Sequence, residues 1–397
     1  MRRSFKFLLR PTSKQAAALA QCLKDHRQLY NAALEHRRTA YRMAGVTVRY
    51  GDQSAELKHI RGGDPDGQAR WSFSSQQATR RLEKAFRAFF NRVKAGRTPG
   101  FPRFKGRGWF NTVEWPKDGD GCRWDSQPHH PSATFVRLQG IGHVRVHQHR
   151  RVLGTVKTIS AKREGRRWFV VLSCDDVPAK TLPATGSVAG IDMGVASLVT
   201  TSDGEHIANP RHLAATADRL AAAQQSLACK KRGSKRRRKA VARVAALHAQ
   251  VRHQRLDHAH KAALALVRDY DVIMHEDLRI ASMTRRAAPK PDSEGGWLPN
   301  GAAAKSGVNR SILDAGWGVF LTILSDKAES AGRELIAVEP RNTSRTCSRC
   351  GHCAKENRIT QAEFACMACG HTAHADVNAA INILRAGLVL REAAKAA

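Results

Sequence analysis

The chain has 397 residues, and its 67 Lys and Arg against 34 Asp and Glu give a formal net charge of +33 at pH 7. This excess of cations argues against an enzyme of small neutral molecules and indicates a nucleic-acid partner. Apolar residues make up 42% of the chain, which excludes an unfolded polymer, and no apolar run approaches the roughly 20 residues of a membrane span. We therefore expect a cytoplasmic protein of two or three domains without a signal peptide or membrane partner.

The first hundred residues predict a short strand followed by basic helices. The run from Phe5 to Leu9 ends before Pro11, after which Thr12 and a Gln three residues later have the spacing of a capping box. Ser74 with Gln77 has the same spacing, and it predicts a second helix that ends near Gly96. Lys and Arg flank the apolar face of each predicted helix, so this region is expected to be helical and basic.

From Gly100 the sequence changes to Gly, Pro, aromatic and cationic residues, and the later runs HVRVHQH, TVKTISAKRE and RWFVVLSCDD alternate as strands do. We expect a small β domain over about residues 100 to 180. Its aromatic residues, Trp109 among them, have two interpretations: they form an ordinary core, or they stack on the bases of a single strand. On the second interpretation, the candidate nucleic-acid contacts are Phe101, Arg103, Phe104, Lys105 and Arg107.

The segment SVAGIDMGVASLVTTSDG predicts a buried strand and a second strand of an α/β sheet, and a long helical stretch follows. Between Arg219 and Arg255 there are twelve Lys and Arg and no Asp or Glu. A charged run is usually a solvated helix face, but no opposite charge lies nearby in sequence to neutralise this one. We expect it to bind phosphate backbones through Lys230, Lys231, Arg232, Lys235, Arg236, Arg237, Arg238 and Lys239.

The remaining α/β pattern contains a strand in YDVIMHEDL, a helix from Ser311 to Gly332 and a strand in ELIAVEP. The Pro- and Gly-rich stretch between the first of these strands and the helix, residues 285–307, is predicted to be a loop or lid. Alternation of strands and helices indicates an α/β sheet that is split by insertions.

Two CxxC motifs separated by 15 residues give the most specific local signal. Each motif directs two thiolates at one ion, and two such motifs complete the closed tetrahedral site of a structural zinc. His352, His371 and Cys353 are not needed as ligands in this arrangement, and Cys353 is interpreted as a bystander. The predicted zinc ligands are Cys347, Cys350, Cys366 and Cys369.

A closed four-thiolate site leaves no open position for water, so the candidates for catalysis are acids at the ends of predicted elements. Asp192 and Glu276 end apolar strands, and Asp376 begins an Ala-rich helix. Three carboxylates in one site repel each other unless cations bind among them, and hard oxygen ligands suit two Mg2+ ions that activate water against a phosphodiester. On pattern alone the alternatives are Asp203, Asp277 and Glu339. Asn378 has two interpretations, a support for a carboxylate or phosphate or a polar residue of the helix surface, and we expect the second.

Six segments in order, GIDMGVASLVTTSDG, KRGSKRRRKA, VIMHEDL, NRSILDAGWGVF, VEPRNTSRTCSRCG and HADVNAAINIL, resemble the RuvC-like core of transposon-encoded TnpB proteins and of the compact type V CRISPR effector nucleases descended from them. The resemblance also includes SFKFLLRPT, GFPRFKGRG and TVKTISAKREGRRWFV, and thus covers most of the chain. It implies that the acidic triad falls on Asp192, Glu276 and Asp376, and that the cysteines form a zinc ribbon near the target strand.

For the fold, the resemblance implies a multidomain α+β protein with a split RuvC-like (RNase H-like) nuclease domain. The expected domains are a β-barrel wedge domain (1–10 and 100–182), a helical recognition domain (11–99), the nuclease domain (183–342 and 372–397) and the zinc ribbon (343–371). For function, it implies a bacterial RNA-guided DNA endonuclease that is Mg2+-dependent and acts as a monomer or homodimer on a guide RNA. The DNA target would be double-stranded, beside a short flanking motif that the protein reads.

Three other functions stay open at this point. The first is a guide-dependent DNA-binding protein that represses or blocks without cutting. The second is an RNA-independent, structure-specific nuclease of RuvC type, although the long basic front half exceeds what such an enzyme needs. The third is a zinc-ribbon DNA-binding protein with an α/β body.

Overall fold

The computed structural model describes residues 1–64, 67–126 and 133–396. The chain divides into two compact units, an N-terminal unit of Met1–Pro178 and a C-terminal unit of Ala179–Ala397. None of the helices in the described ranges combines the length and apolarity that a bilayer crossing requires. The architecture is a mixed α+β fold of several parts.

The N-terminal unit combines a helical insertion with an antiparallel sheet. Its helices are α1 (Ser13–Ala44), α2 (Tyr50–Gly63) and α3 (Gln76–Lys94), and all three come between the first and second strands. The strands are β1 (Arg3–Arg10), β2 (Thr112–Trp115), β3 (Cys122–Trp124), β4 (Thr134–Leu138), β5 (Gly142–His147), β6 (Thr155–Glu164) and β7 (Arg167–Asp175).

The seven strands form one sheet in the order β2-β6-β7-β1-β5-β4-β3. Each adjacent pair is antiparallel, and β1 lies in the middle between β7 and β5. Alternate residues of β1, namely Phe5, Phe7 and Leu9, are buried in the core of the unit, as period-two alternation requires. Within residues 1–64, 67–126 and 133–178, β2 and β3 at the two ends of the order do not pair with each other, so the expected closed barrel is not formed and the sheet is open.

The predicted cap of α1 is confirmed, whereas that of α3 is wrong. The Thr12 side chain accepts from the Gln15 backbone, and the Gln15 side chain accepts from the Thr12 backbone, which completes a capping box. In α3 the N-cap residue is Ser75, and its side chain makes no hydrogen bond to the backbone of the first turn. Ser74 instead lies buried and shares a 3.0 Å hydrogen bond with His26 Nε2 of α1, because its hydroxyl is needed to satisfy a buried imidazole.

The C-terminal unit alternates strands and helices. Its first strands are β8 (Val188–Asp192), β9 (Ser197–Thr201) and β10 (His206–Ala208), followed by α4 (Ala217–Ala228), α5 (Lys235–Asp269) and β11 (Val272–Glu276). Next come α6 (Ile280–Met283), α7 (Ala302–Ala315), α8 (Trp317–Ala331) and β12 (Glu334–Val338). The chain then forms the hairpin β13 (Glu363–Ala365) and β14 (Thr372–His374), and it closes with α9 (Ala375–Ala396).

The main sheet of this unit has the order β10-β9-β8-β11-β12, with β8, β11 and β12 parallel and β9 antiparallel to β8. Helices α5 and α8 pack on one face around Phe320 and Leu266, while α9 covers the other face through Ile383. Gly190 allows α9 to approach β8 closely, because a Cβ at that position would lie 2.1 Å from the Ala380 carbonyl oxygen. The carboxyl ends of the three parallel strands thus share one edge, beside the start of α9.

Two sequence predictions for this unit need correction. The helix predicted from Ser311 to Gly332 is two helices, because Gly316 takes a left-handed backbone with φ +74° and separates α7 from α8. The predicted lid is also shorter than residues 285–307, since α7 already begins at Ala302.

Candidate active site and four-cysteine centre

Asp192 and Glu276 lie side by side at the carboxyl edge of the main sheet. Ile191 of β8 pairs with His275 of β11 in parallel register, so the next residue of each strand, Asp192 or Glu276, ends its strand at the same level. Neighbouring strands are about 4.8 Å apart. The buried apolar runs that precede both acids are the reason for this placement, since they hold β8 and β11 in the middle of the sheet.

Asp376 lies at the same edge of the sheet but belongs to α9, far in sequence from Asp192 and Glu276. It lies in the first turn of α9, is 5% exposed, and its Oδ2 would lie 3.7 Å from a Cβ placed on Gly194. Gly194 belongs to the turn that follows Asp192, and its carbonyl accepts a 3.2 Å hydrogen bond from Trp317 Nε1. The turn is therefore held by α8 while it leaves room for the carboxylate of α9.

The pKa values of Asp192 and Glu276 are raised, as expected for carboxyl groups that are buried close to one another. Burial, followed by the negative charges of Glu276 and Asp376, raises the pKa of Asp192 to about 7, although Arg358 and the Met193 backbone N–H act in the opposite direction. Burial also raises the pKa of Glu276, and the hydrogen bond from Thr343 lowers it. Crowded, half-buried carboxylates of this kind are unstable as anions until a cation approaches.

Thr343 and Arg358 contact the acids and were not found by sequence reasoning. Thr343 Oγ1 donates to Glu276 Oε1 over 2.5 Å, and the guanidinium of Arg358 donates to Asp376 Oδ1 over 2.9 Å. Both residues belong to the segment that contains the cysteines, far in sequence from Glu276. No local pattern marks either residue.

The alternative acids lie elsewhere or have other partners. Asp203 accepts hydrogen bonds from Tyr270 and Ser202, which is a structural role. Asp277 and Glu339 are exposed, although each directly follows a strand that ends at this edge.

The donor set fits hard divalent cations, because carboxylate oxygens are their preferred ligands. Among Cys, His, Asp and Glu residues in the described ranges, only the four cysteines form a group of three or more that is compact enough to hold a metal ion. The three carboxyl groups are therefore more open than a single-ion cage.

The four predicted zinc cysteines converge. Their sulfur atoms all lie within 4.8 Å of one another, with 3.7 Å between Cys347 and Cys369 and 3.6 Å between Cys350 and Cys366. Ligands at about 2.3 Å in a tetrahedron are separated by about 3.8 Å, so the cluster matches the geometry of a structural zinc site.

The sequence CxxCGH occurs twice, and each copy folds in the same way. The first Cys of each motif donates its N–H to the carbonyl of the His, over 2.9 Å for both Cys347 and Cys366. The His residues, His352 and His371, thus contribute backbone rather than ring atoms. Cys353 is exposed and is not a member of the cluster, as its interpretation as a bystander requires.

Asn378 has a role that neither sequence interpretation anticipated. It is fully buried, its Oδ1 accepts from the Ser348 N–H over 2.8 Å, and its Nδ2 donates to the Thr346 carbonyl over 2.8 Å. Asn382, one turn later, donates to the carbonyls of Thr343 and Thr346. The helix that carries Asp376 therefore also holds the chain between Thr343 and the first cysteines. Two Asn residues in a buried Ala-rich helix were the signal that could have revealed this.

The predicted cationic stretch forms the turn between α4 and α5 and the start of α5. Arg237 differs from its neighbours, because its guanidinium donates to the carbonyls of Leu227 and Lys230 and so caps α4. Lys230 is half-buried, and the other six cations of the predicted set are exposed, namely Lys231, Arg232, Lys235, Arg236, Arg238 and Lys239.

The aromatic residues of the predicted β region are exposed to different degrees. Phe101 packs edge-on against Phe86 and Phe89 at 5.5 and 5.3 Å between ring centroids, and the guanidinium of Arg38 lies 5.3 Å from the Phe104 ring centroid. Trp109 is 82% exposed. Lys105 is anchored to α1, since its backbone N–H and carbonyl both hydrogen-bond the side chain of Asn31. Arg103 and Arg107 are exposed.

Three known families match parts of the chain. Residues 169–287 match the family described as "Probable transposase", OrfB of IS605, and residues 317–383 match the "Cas12f1-like, TNB domain". Residues 1–45 match a helix-turn-helix domain of the same OrfB group, although the structure forms β1 and the single long helix α1 there.

Two full-length relatives and one solved structure extend these matches. The chain is 31% identical over 389 residues to the "Putative RNA-guided DNA endonuclease InsQ" of Escherichia coli, covering 97% of this chain and 92% of InsQ. It is 33% identical over 410 residues to a "Putative RNA-guided DNA endonuclease" of Streptomyces pristinaespiralis, covering 98% and 90%. The structure of a Cas12f1–sgRNA–target DNA complex matches with a TM-score of 0.59 at 16% identity, covering 94% of this chain and 83% of that one, which shows a shared fold.

Proposed function

The chain belongs to the IS605 OrfB/TnpB family, and we propose that it is an RNA-guided DNA endonuclease in which Asp192, Glu276 and Asp376 hold the divalent ions for phosphodiester hydrolysis. The observation that carries this proposal is the convergence of three acids, distant in sequence, at one edge of the main sheet. The raised pKa of Asp192 supports it, since isolated surface acids show no such perturbation.

Each residue of the site has a separate task in the proposed reaction. Asp192, Glu276 and Asp376 bind and separate the ions, and Thr343 fixes the rotamer of Glu276 by its short hydrogen bond. Arg358 supplies positive charge next to Asp376, which reduces repulsion among the carboxylates before any ion arrives. Bound Mg2+ ions would activate water and stabilise the leaving oxygen.

We propose that the four-cysteine centre holds one structural Zn2+ and stabilises the ribbon that delivers Thr343 and Arg358 to the acids. The ribbon is small, with a buried cluster of only Cys347, Phe364, Cys366 and Ala375. A core of that size needs a metal for stability. Zinc would therefore support catalysis through position rather than through chemistry.

We infer the nucleic-acid partners from the net positive charge of the chain and from its family. A guide RNA would read sequence by pairing with a double-stranded DNA target beside a flanking motif, while the protein holds backbones. We propose that the exposed cations of the α4–α5 turn and the aromatic loop with Arg103, Lys105 and Arg107 contribute to this. The domain boundaries that the family resemblance implies for the wedge, recognition, nuclease and ribbon domains are part of the same proposal.

The test begins with RNA that co-purifies with the full-length chain. The RNA is sequenced, and the complex is incubated with supercoiled plasmid that carries a matched target beside a library of flanking sequences, with and without Mg2+. We expect nicked and linear products only with matched guide, a permissive flank and Mg2+. Asp192→Ala should abolish both products, whereas Asp277→Asn, which alters the exposed acid next to Glu276, should retain them.

Three other results of this experiment would favour a different function or end the assignment of the three acids. Stable retention of intact plasmid by the wild-type complex would favour a protein that binds without cutting. Cleavage that needs no RNA would favour a structure-specific nuclease. Normal cleavage by Asp192→Ala would end the assignment of the three acids.

A further inference from the structure

A cavity of about 200 Å³ lies in the N-terminal unit between α3 and β2, far in sequence from the acids. We call it the α3–β2 cavity. Gln77, Arg81 and Lys84 line it from α3, and their i, i+4, i+7 spacing places them on one face of the helix. Glu114 of β2 contributes the only carboxyl group among the lining residues.

Arg81 carries a partly buried charge that has no direct salt bridge among the described residues. Its guanidinium lies 4.6 Å from the ring centroid of Phe110, and it takes part in none of the ion pairs found within residues 1–64, 67–126 and 133–178. Burial lowers the pKa of Arg81, against the opposing influence of Glu114 and Tyr30. A half-buried cation of this kind gains free energy when an anion joins it.

Some of the other polar groups that line the cavity already have hydrogen-bond partners, and some do not. Gln77 Nε2 is buried and has no hydrogen-bond partner in the described ranges, so it is a free donor. Arg80 already donates to the Tyr50 hydroxyl over 2.9 Å. His26 is held by the Cys22 carbonyl and by Ser74, and burial lowers its pKa to about 4, so the ring is neutral at pH 7. Arg81, Lys84 and Gln77 therefore remain to bind a ligand.

We propose that the α3–β2 cavity is a phosphate-binding site and that one backbone phosphate of the guide RNA occupies it. The inference rests on the proposed function. A guanidinium on a fixed aromatic face presents paired donors that suit phosphate oxygens, and an ammonium and an amide donor complete the set. A volume of about 200 Å³ equals roughly six waters, which accommodates a phosphate with adjoining sugar atoms. The guide is favoured over the DNA because it stays bound between targets, so it can compensate the charge permanently.

The experiment uses ethylation interference on the end-labelled RNA that co-purifies with the full-length chain. In the wild type, we expect a phosphate whose ethylation weakens binding. Arg81→Met keeps an unbranched side chain beside Phe110 and removes the charge, and Lys84→Ala removes an exposed cation with little effect on folding. Both variants should lose that interference position and keep the others. The control is Arg87→Ala on the same helix, since Arg87 is exposed and does not line the cavity.

A second measurement is the salt dependence of RNA binding. Each lost single-strand phosphate contact should reduce the slope of log K against log salt by about 0.7. Interference patterns for Arg81→Met and Lys84→Ala that match the wild type would overturn the proposal. The same ethylation experiment is run on end-labelled target DNA. If the two variants lose an interference position on the DNA and none on the RNA, the proposal is also overturned.

Two further experiments distinguish an RNA phosphate from free phosphate in the cavity, and failure of this proposal from failure of the proposed function. Inorganic phosphate, at constant ionic strength, is added to the RNA-free chain. If it raises the melting temperature of the wild type but not of Arg81→Met, while no RNA position is lost, then free phosphate is the occupant and the RNA assignment is wrong. Should Arg81→Met fail to fold, Lys84→Ala decides alone. Absence of any bound RNA in the wild type would instead defeat the proposed function, on which the cavity's occupant depends.

Discussion

Replacing Asp192 by Asn should stabilise the metal-free protein, although it removes a proposed catalytic ligand. The pKa of Asp192 is raised from 3.8 to about 7 by burial and by its two acidic neighbours. A carboxyl group whose pKa is raised in the folded state stabilises the fold only while protonated. That contribution is present below pH 3.8 and is lost as the pH rises through 7.

The magnitude follows from the shift. About three pKa units at 1.36 kcal/mol each correspond to about 4 kcal/mol lost by pH 8. For a unit of 150 to 250 residues, 1 kcal/mol changes the melting temperature by about 2 to 4 °C. Water that enters the open site reduces the effect, so we expect Asp192→Asn to melt at least about 5 °C above the wild type at pH 8. The gain should fall to less than half at pH 5.

The assay is scanning calorimetry of the full-length chain without Mg2+ and without chelator, so that zinc is retained. Millimolar Mg2+ should raise the melting temperature of the wild type much more than that of Asp192→Asn. Asp277→Asn, an exposed acid next to Glu276, should behave as the wild type throughout. Equal melting of Asp192→Asn and wild type at pH 8, or a gain that does not change with pH, would refute the reasoning.

Three further predictions concern Thr343, the four-cysteine centre and the cap of α4. Thr343→Val removes a hydrogen bond to an anion worth about 1.5 to 3 kcal/mol, so the pKa of Glu276 should rise and the acidic limb of the pH–rate profile should move up by about one to two units. Cys366→Ser should release zinc, measured by metal analysis, and lower the cleavage rate at least tenfold, because the ribbon no longer places Thr343. Arg237→Ala should lower the melting temperature by removing the cap of α4, whereas Arg238→Ala should leave it unchanged and reduce the salt dependence of nucleic-acid binding.

Each of these has a matched control. Thr343→Ser keeps the hydroxyl and should restore the wild-type pH profile. Cys353→Ser alters an exposed thiol outside the cluster and should retain one zinc per chain. A pH profile that Thr343→Val leaves in place, or zinc retained by Cys366→Ser, would contradict the role given to the ribbon. So would equal melting of Arg237→Ala and Arg238→Ala.

The positions of Asp192 and Glu276 were predictable because the physics behind them is local. Each follows a buried apolar run, and the carboxyl ends of neighbouring parallel strands must meet at one edge. The four cysteines were predictable for a similar reason, since each CxxC motif carries its own turn. The assignment of these acids as metal ligands stays a prediction.

What sequence reasoning missed depends on contacts between distant segments. Ser74 is taken by a buried His of α1 instead of capping α3, and the exposed or buried state of that hydroxyl cannot be read from spacing. Thr343 and Arg358 reach the acids only because Asn378 and Asn382 hold the root of the ribbon on α9. Gly316 resembles any helical glycine in sequence, and only the structure reveals the left-handed backbone that separates α7 from α8.

The most direct test of the central claim is the location of divalent ions in crystals of the full-length complex soaked in Mn2+, by anomalous scattering. The account predicts manganese between the carboxylates of Asp192, Glu276 and Asp376, with this density lost in Asp192→Ala. Manganese that binds only elsewhere, in a preparation that cleaves guide-matched DNA, would contradict it.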